Sequence, residues 1–297
     1  MNNNPEYFDL RCGRFSLKLG NRTHIMGILN VTPNSFYDGG FYHTLDNAVA
    51  HAEKMAEEGA DIIDIGGEST RPGSEPLSAE EELKRILPVV KLLAKRLEIP
   101  LSVDTYKSEV ARRVLEEGTD MINDISGFRF DNRMIEVLAH FEDIPVVVMH
   151  TYDRPKTMQD NPVYLSLIED IKGSLAESMH RGIEGGIKRE RFIIDPGIGF
   201  GKTVDDNLTI IKRLSEFKEL ERPILIGTSR KRFIQKTLDL PVKESLEGTL
   251  ATVTASILNG ADMVRVHDVK ESRRAAAMAD AIKNISAEKR DQAHIQG

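Results

Sequence analysis

The chain has 297 residues, 40% of them hydrophobic and 29% charged, enough for one large core or two small ones. A net charge of −7, few aromatic residues and no lysine- or arginine-rich block argue against a general nucleic-acid binder, so any anionic ligand needs a focused basic cluster. The single cysteine, Cys12, excludes an internal disulfide framework and a cysteine metal cluster; no apolar run approaches the roughly 18 residues that span a bilayer, and the first residues do not form a signal peptide, so a cytoplasmic enzyme-sized protein is expected.

Residues 8–18 alternate polar and apolar around Cys12-Gly13-Arg14, the pattern of a hairpin. Short β-rich runs follow at 24–30, 61–66, 101–104, 121–124, 145–150, 192–195, 223–227 and 262–267. Several are almost continuous in Ile, Val and Leu, as in Ile62-Ile63-Asp64-Ile65, which marks parallel strands buried on both faces. Amphipathic stretches lie between them, at 46–58, 79–97, 107–117, 163–181, 204–219 and 246–259. The recurring Glu-Glu-Gly-Ala-Asp (57–61), Glu-Glu-Gly-Thr-Asp (116–120) and Asn-Gly-Ala-Asp (259–262) place a glycine where a helix ends and a strand is about to begin.

Eight β–α units in about 250 residues predict an α/β fold, a (β/α)8 TIM barrel rather than a doubly wound sheet. Its N-terminal β-hairpin would close the barrel bottom. The expected organisation is a hairpin extension over 1–22, the barrel over 23–285 and a polar, flexible tail over 286–297.

In such a barrel the chemistry sits at the C-terminal ends of the strands. The unusual residues gather there: Asn30 after the first strand, Glu68 to Gly73 after the second, Asp104 on the third, Asn123 and Asp124 on the fourth, Asp195 on the sixth, Ser229, Arg230 and Lys231 after the seventh, Arg265 and His267 on the eighth. Taken singly, Asp104 or Asp195 serves as a helix cap, Asn30 or Asn123 satisfies a loop, and Arg265 pairs with a barrel carboxylate. Taken together they suit a polar heterocycle plus an anion. Asp104 and Asp195 can accept from the N–H edge of an amino-pyrimidinone, while Lys231, Arg265 and His267 lie where this fold commonly binds phosphate. Gly197-Ile198-Gly199-Phe200-Gly201 lacks dinucleotide-fingerprint spacing and reads as a tight turn that lets a flat ligand approach. No zinc-protease motif, Walker A loop or nucleophile elbow is present, so positioning and charge stabilisation should carry the reaction.

On these residues the chain resembles dihydropteroate synthase. The motifs are Met26-Gly27-Ile28-Leu29-Asn30-Val31-Thr32-Pro33, Asp64-Ile65-Gly66-Gly67-Glu68-Ser69-Thr70-Arg71-Pro72-Gly73, Ser102-Val103-Asp104-Thr105, Asn123-Asp124-Ile125-Ser126-Gly127, Asp195 to Lys202 and Gly227-Thr228-Ser229-Arg230-Lys231, in that order. The resemblance implies condensation of (7,8-dihydropterin-6-yl)methyl diphosphate with 4-aminobenzoate, with magnesium (Mg2+), in tetrahydrofolate biosynthesis. It implies that Asp104, Asn123, Asp195 and Lys231 hold the pterin, with Ile125, Met149, Phe200 and Gly227 shaping its slot. Asn30, Thr70, Arg71, Arg265 and His267 would hold the diphosphate, and Asn30 the metal. Phe36, Thr70, Pro72, Ser229 and Lys231 would border the aminobenzoate pocket.

Asp38, Lys231 and Arg71 would act on the reacting groups, Asp38 by offsetting a cation formed as diphosphate departs. Two long loops, about 31–45 and 67–78, would close over the site. One departure is Asn34, where the family usually has Asp; the amide removes a charge that could pair with Arg71 or support the cation. The family, a target of sulfonamides, also implies a homodimer, while composition points to no nucleic-acid or membrane partner. Two alternatives share the pterin slot. A methyltetrahydrofolate–corrinoid methyltransferase would need neither the basic cluster nor the Thr-Pro-x-Ser-Phe loop, and a non-catalytic pterin-binding paralogue is favoured only by Asn34.

Overall fold

The structure, a computed structural model, describes residues 7–31, 40–71, 73–160 and 162–285, with the side chains of 40–44 left aside. The chain opens with an antiparallel hairpin, β1 (Phe8–Cys12) and β2 (Phe15–Leu19), in which Leu10 faces Leu17. Eight parallel strands follow: β3 (His24–Asn30), β4 (Ile62–Gly66), β5 (Leu101–Asp104), β6 (Met121–Asp124), β7 (Val146–Met149), β8 (Phe192–Asp195), β9 (Leu225–Ile226) and β10 (Met263–Val266). They pair in the order β8-β7-β6-β5-β4-β3-β10-β9, and a parallel bridge between Ile194 and Ile224 joins the two ends. This is the expected TIM barrel, with β9 shorter than the predicted run because Pro223 has no N–H to donate.

Helices α1 (Gly40–Glu57), α2 (Ala79–Arg96), α3 (Ser108–Glu116), α4 (Arg133–His140), α5 (Leu167–Glu184), α6 (Val204–Lys212), α7 (Arg232–Leu238), α8 (Leu246–Leu258) and α9 (Val269–Lys283) surround the strands. Three of these, α4, α7 and α9, were not among the named amphipathic stretches. The first long loop is also shorter than expected, because α1 begins at Gly40; the aromatic and β-branched residues at 41–44 are weak helix formers, so periodicity becomes readable only at Leu45. Residues 32–39, 72 and 286–297, which include Asn34, Phe36, Asp38, Pro72 and the expected tail, lie outside the described residues.

The alternation of side chains along each strand divides the core in two. Ile63, Ile65, Val103, Val148, Ile194 and Val264 face the helices. Met26, Ile62, Met121, Val147, Ile193, Leu225 and Met263 face the lumen, where Leu10, Cys12 and Leu19 of the hairpin pack beneath them and close the N-terminal end. The repeated Gly-x-Asp turns have a structural cause. Gly59, Gly118 and Gly260 take φ of +99°, +99° and +109°, which favours glycine. The aspartate two residues on then accepts a backbone N–H from Ile25 (Asp61, 2.8 Å), Leu101 (Asp120, 3.0 Å) or Ile224 (Asp262, 2.9 Å). Each carboxylate thus fixes the start of a strand. Among the described residues no helix is long and apolar enough to cross a membrane.

Candidate active site

With the apolar layer filling the bottom of the lumen, the next inward-facing residue of each strand reaches the open end. A cleft there is lined by Ile28, Thr70, Asp104, Asn123, Ile125, Met149, Asp195, Phe200, Gly227, Ser229, Lys231, Arg265 and His267. Apart from Ile28, every one of these is a residue singled out in the sequence. Asn30 and Arg71 are exposed and do not line the cleft.

The floor is built on a residue that sequence reasoning did not select. Asp64, fully buried on β4, accepts from Arg265 Nε at 2.6 Å and from Asn123 Nδ2 at 3.1 Å through one oxygen, Oδ2. Arg265 also donates from Nη2 to Asp104 Oδ2 at 2.9 Å. The ion pair weighed for Arg265 is therefore present, and it has two carboxylate partners. Burial works against the Arg265 charge, but Asp64 and then Asp104 outweigh it, and the guanidinium is held more firmly protonated than usual. Burial pushes the Asp104 carboxyl well above the ordinary carboxylate range, opposed by Arg265 and reinforced by Asp64. Asn123 commits its amide nitrogen to the floor, which leaves its oxygen for a ligand.

One wall comes from the turn after β8. Asp195 Oδ1 accepts the Gly197 N–H at 2.7 Å, folding 195–201 back against the cleft. Gly197 (φ +74°) has no alternative, since a Cβ there would lie 1.8 Å from the His150 carbonyl oxygen. Lys231 reaches across, donating from Nζ to the Ile198 carbonyl and standing 4.7 Å from the centre of the Phe200 ring. Burial pulls its pKa down to about 8, with Asp195 opposing. Burial likewise raises the Asp195 carboxyl, with Lys231 opposing. Behind this turn the buried Lys202 Nζ lies 3.0 Å from His150 Nδ1 and donates to the Phe200 carbonyl at 3.0 Å, tying the glycine turn to β7. Tyr106, Ile125, Met149, Met158 and Phe200 form a small apolar cluster beside it.

At the rim, Ser229 Oγ accepts the His267 N–H at 3.2 Å and lies 3.0 Å from His267 Nδ1. The loop 67–78, which carries Thr70 and Arg71, is pinned at its base. Glu68 accepts from Tyr106 Oη at 2.7 Å, Lys107 Nζ at 2.6 Å and the Leu77 N–H at 2.8 Å, while Lys107 also meets the buried Glu82 at 2.5 Å. Farther out, Gly73 N–H donates to the Pro155 carbonyl at 3.1 Å and Lys156 pairs with Glu75 at 2.8 Å. Glu68, Glu82 and Lys107 were not among the candidate site residues, for their grouping arises from three separate segments.

Among the described residues there is no group of three or more His, Cys, Asp or Glu able to hold a metal ion. The rim nevertheless suits magnesium, which binds through few protein oxygens and retains waters and substrate phosphates. Asn30 offers a hard amide oxygen next to the backbone of Gly66, where a Cβ would stand in ordinary contact, 3.7 Å from Asn30 Oδ1.

Comparison with known proteins agrees with this geometry. The model of the pterin binding enzyme family matches residues 26–267. A dihydropteroate synthase of Clostridium beijerinckii is 48% identical, over 92% of this chain and 99% of its own. Among solved structures, a dihydropteroate synthase from Clostridium difficile determined in the presence of pteroic acid is 47% identical with a TM-score of 0.85, over 90% of this chain and 99% of that one. Another, from Xanthomonas albilineans with 4-aminobenzoic acid, is 38% identical with a TM-score of 0.87, over 95% of this chain and 100% of that one. The chain belongs to the pterin binding enzyme family and is an enzyme of the dihydropteroate synthase kind.

Proposed function

We propose that the chain joins (7,8-dihydropterin-6-yl)methyl diphosphate to 4-aminobenzoate, forming 7,8-dihydropteroate and diphosphate for tetrahydrofolate synthesis in the cytoplasm. The observation that carries this reading is that one cleft gathers the acceptors Asp104, Asn123 and Asp195 with the cationic Lys231 and Arg265 and, at the rim, the imidazole of His267. Asp104, Asn123 and Asp195 offer oxygens to the N–H edge of an amino-pyrimidinone. Lys231, beside Asp195, donates to the ring, Ile125, Met149 and Phe200 cover its faces, and Gly227 leaves it room. The relatives solved with pteroic acid and with 4-aminobenzoic acid support assigning both halves of the product to this cleft.

Aminobenzoate nitrogen is a weak nucleophile, so the reaction gains most from assisting the departure of diphosphate. His267 and Arg265 face the leaving group from β10, with Asn30, Thr70 and Arg71 around it. Asn30 would hold magnesium, which would supply positive charge to the leaving group. The C–O bond breaks first, both electrons leaving with diphosphate, and a methylene cation conjugated with the pterin remains. Asp38, outside the described residues, offsets that cation. The amine then adds to the methylene carbon and loses a proton. Thr70, Ser229 and Lys231 border the incoming aminobenzoate, together with Phe36 and Pro72, also outside the described residues. The same reading includes sulfonamide binding in place of aminobenzoate. It also includes a homodimer.

An assay with pterin diphosphate, magnesium and labelled 4-aminobenzoate tests the function. Label should appear in dihydropteroate, one for each diphosphate released. No labelled product above a heat-killed control, despite pterin binding, would leave a binding protein and sink the synthase reading.

A further inference from the structure

The Arg265 guanidinium is shared unequally. Its Nε meets Asp64 Oδ2 at 2.6 Å, and its Nη2 meets Asp104 Oδ2 at 2.9 Å. Asp104 lines the cleft, whereas Asp64 lies beneath it and is fully buried. Asp64 also has a spare acceptor: its Oδ1 takes no hydrogen bond among the described residues, although it is shut away from solvent. A buried carboxylate oxygen without a donor is costly, and an arginine fork that already touches the same carboxylate could satisfy it.

The proposed function, on which this inference rests, asks Asp104 to accept from the ligand's N–H edge. In the ligand-free site Arg265 already occupies Asp104 Oδ2, so a ring that reaches that oxygen competes with the arginine for it. We infer that Asp64 is a positioning residue, the permanent partner of Arg265, and that Asp104 is a temporary one which Arg265 releases when the ring binds. As Nη2 leaves Asp104, it gains the free Oδ1 of Asp64, and the guanidinium pivots without losing its countercharge. The other titratable groups that face this pivot are Lys231 and His267, which lie beside the guanidinium, and Asp195, a third carboxylate that supports the Arg265 charge but, among the described residues, takes no hydrogen bond from it. Remove the charge of Asp64, and Arg265 closes on Asp104, the ionised carboxylate to which it still donates. The residue that should receive the ring is then sequestered.

This makes an unusual prediction: a defect at Asp64 should be relieved by removing Arg265. Binding of 6-hydroxymethyl-7,8-dihydropterin, the ring without diphosphate, is titrated into the wild type, Asp64→Asn, Arg265→Met and the double variant. Asp64→Asn should weaken binding by about tenfold or more, and the double variant should return to within about threefold of Arg265→Met alone. Losses that multiply in the double variant, or an Asp64→Asn affinity equal to wild type, would overturn the inference. Wild type that fails to bind the ring would instead remove the function reading beneath it. Because Asp64→Asn leaves a buried cation underpaired and risks misfolding, the wild-type complex gives a second measurement. Its structure should show Arg265 still on Asp64 and no longer on Asp104. An Arg265 that keeps Asp104, or abandons Asp64, contradicts the proposal.

Discussion

Ser229 and His267 meet twice. The backbone N–H of His267 donates to Ser229 Oγ at 3.2 Å, and the same oxygen lies 3.0 Å from His267 Nδ1. With the hydroxyl donating to Nδ1, the imidazole is neutral and carries its proton on Nε2. Burial, and next the Arg265 charge, pull its pKa down to about 4, in keeping with the neutral form. Ser229→Ala should release the tautomer at a cost of about 1 kcal/mol in stability. It should also raise KM for pterin diphosphate several-fold while leaving affinity for the bare pterin ring unchanged. Steady-state kinetics beside a titration with 6-hydroxymethyldihydropterin checks this; equal losses in both would contradict it.

The rate should depend on pH in two directions. Asp104 must be ionised to accept from the ring, and burial raises its pKa, so kcat/KM should fall on the acid side at a pH above the ordinary carboxylate range. Lys231 must be charged to donate, and its pKa near 8 places the alkaline fall there. In Lys231→Gln a much weaker enzyme should keep the acid limb and lose the alkaline one. An alkaline limb unchanged in that variant would remove Lys231 from the role.

Stability should respond to pH through His150. This buried imidazole is held neutral, its pKa lowered to about 2 first by burial and then by Lys202. The unfolded chain therefore takes up the proton first as pH falls. The stability that His150 contributes is present above its unfolded value near 6.5 and is lost below it, by about 2 kcal/mol between pH 7 and pH 5. Urea unfolding of the wild type and His150→Gln at both pH values isolates the effect, since the buried carboxylates that act in the opposite sense are common to both. The wild type's advantage should shrink by that amount; an unchanged difference would show that His150 is protonated in the fold.

Glu68 should matter more to the loop than to the cleft. Its oxygens gather Tyr106, Lys107 and the Leu77 N–H, so Glu68→Gln frees the base of the loop that carries Thr70 and Arg71. A loss of about 1–3 kcal/mol is expected, limited because Lys107 retains Glu82. KM for 4-aminobenzoate should rise several-fold, while the affinity for the pterin ring stays near wild type. Thermal unfolding and substrate-resolved kinetics give the two readings.

Much of this was legible because a barrel strand has only two faces. Asp104, Asn123, Asp195 and Arg265 sit at inward positions of largely apolar strands, so the register that buries Val103, Ile122, Ile194 and Val264 must turn them into the lumen. Asp64 obeys the same parity with Ile62 below it, and a lone acid in Ile-Ile-Asp-Ile was a signal. Its partner lies 201 residues away, however, and meets it only when β10 closes beside β3, the neighbour of β4. The Glu68, Lys107 and Glu82 group escaped notice for the same reason, since each residue reads locally as an ordinary loop or helix charge. Helix α4 is only eight residues long and α7 seven, too short for periodicity to stand out from the flanking loops.

The central claim, that one cleft holds a heterocycle on its floor and an anion at its rim, is tested most directly by separating the two ligands. Asp195→Asn and His267→Ala are each titrated with 6-hydroxymethyl-7,8-dihydropterin and with inorganic diphosphate in the presence of magnesium. Asp195→Asn should lose about tenfold or more for the pterin and keep diphosphate binding, and His267→Ala should show the reverse. Matching losses of both ligands in both variants would contradict the division of the site.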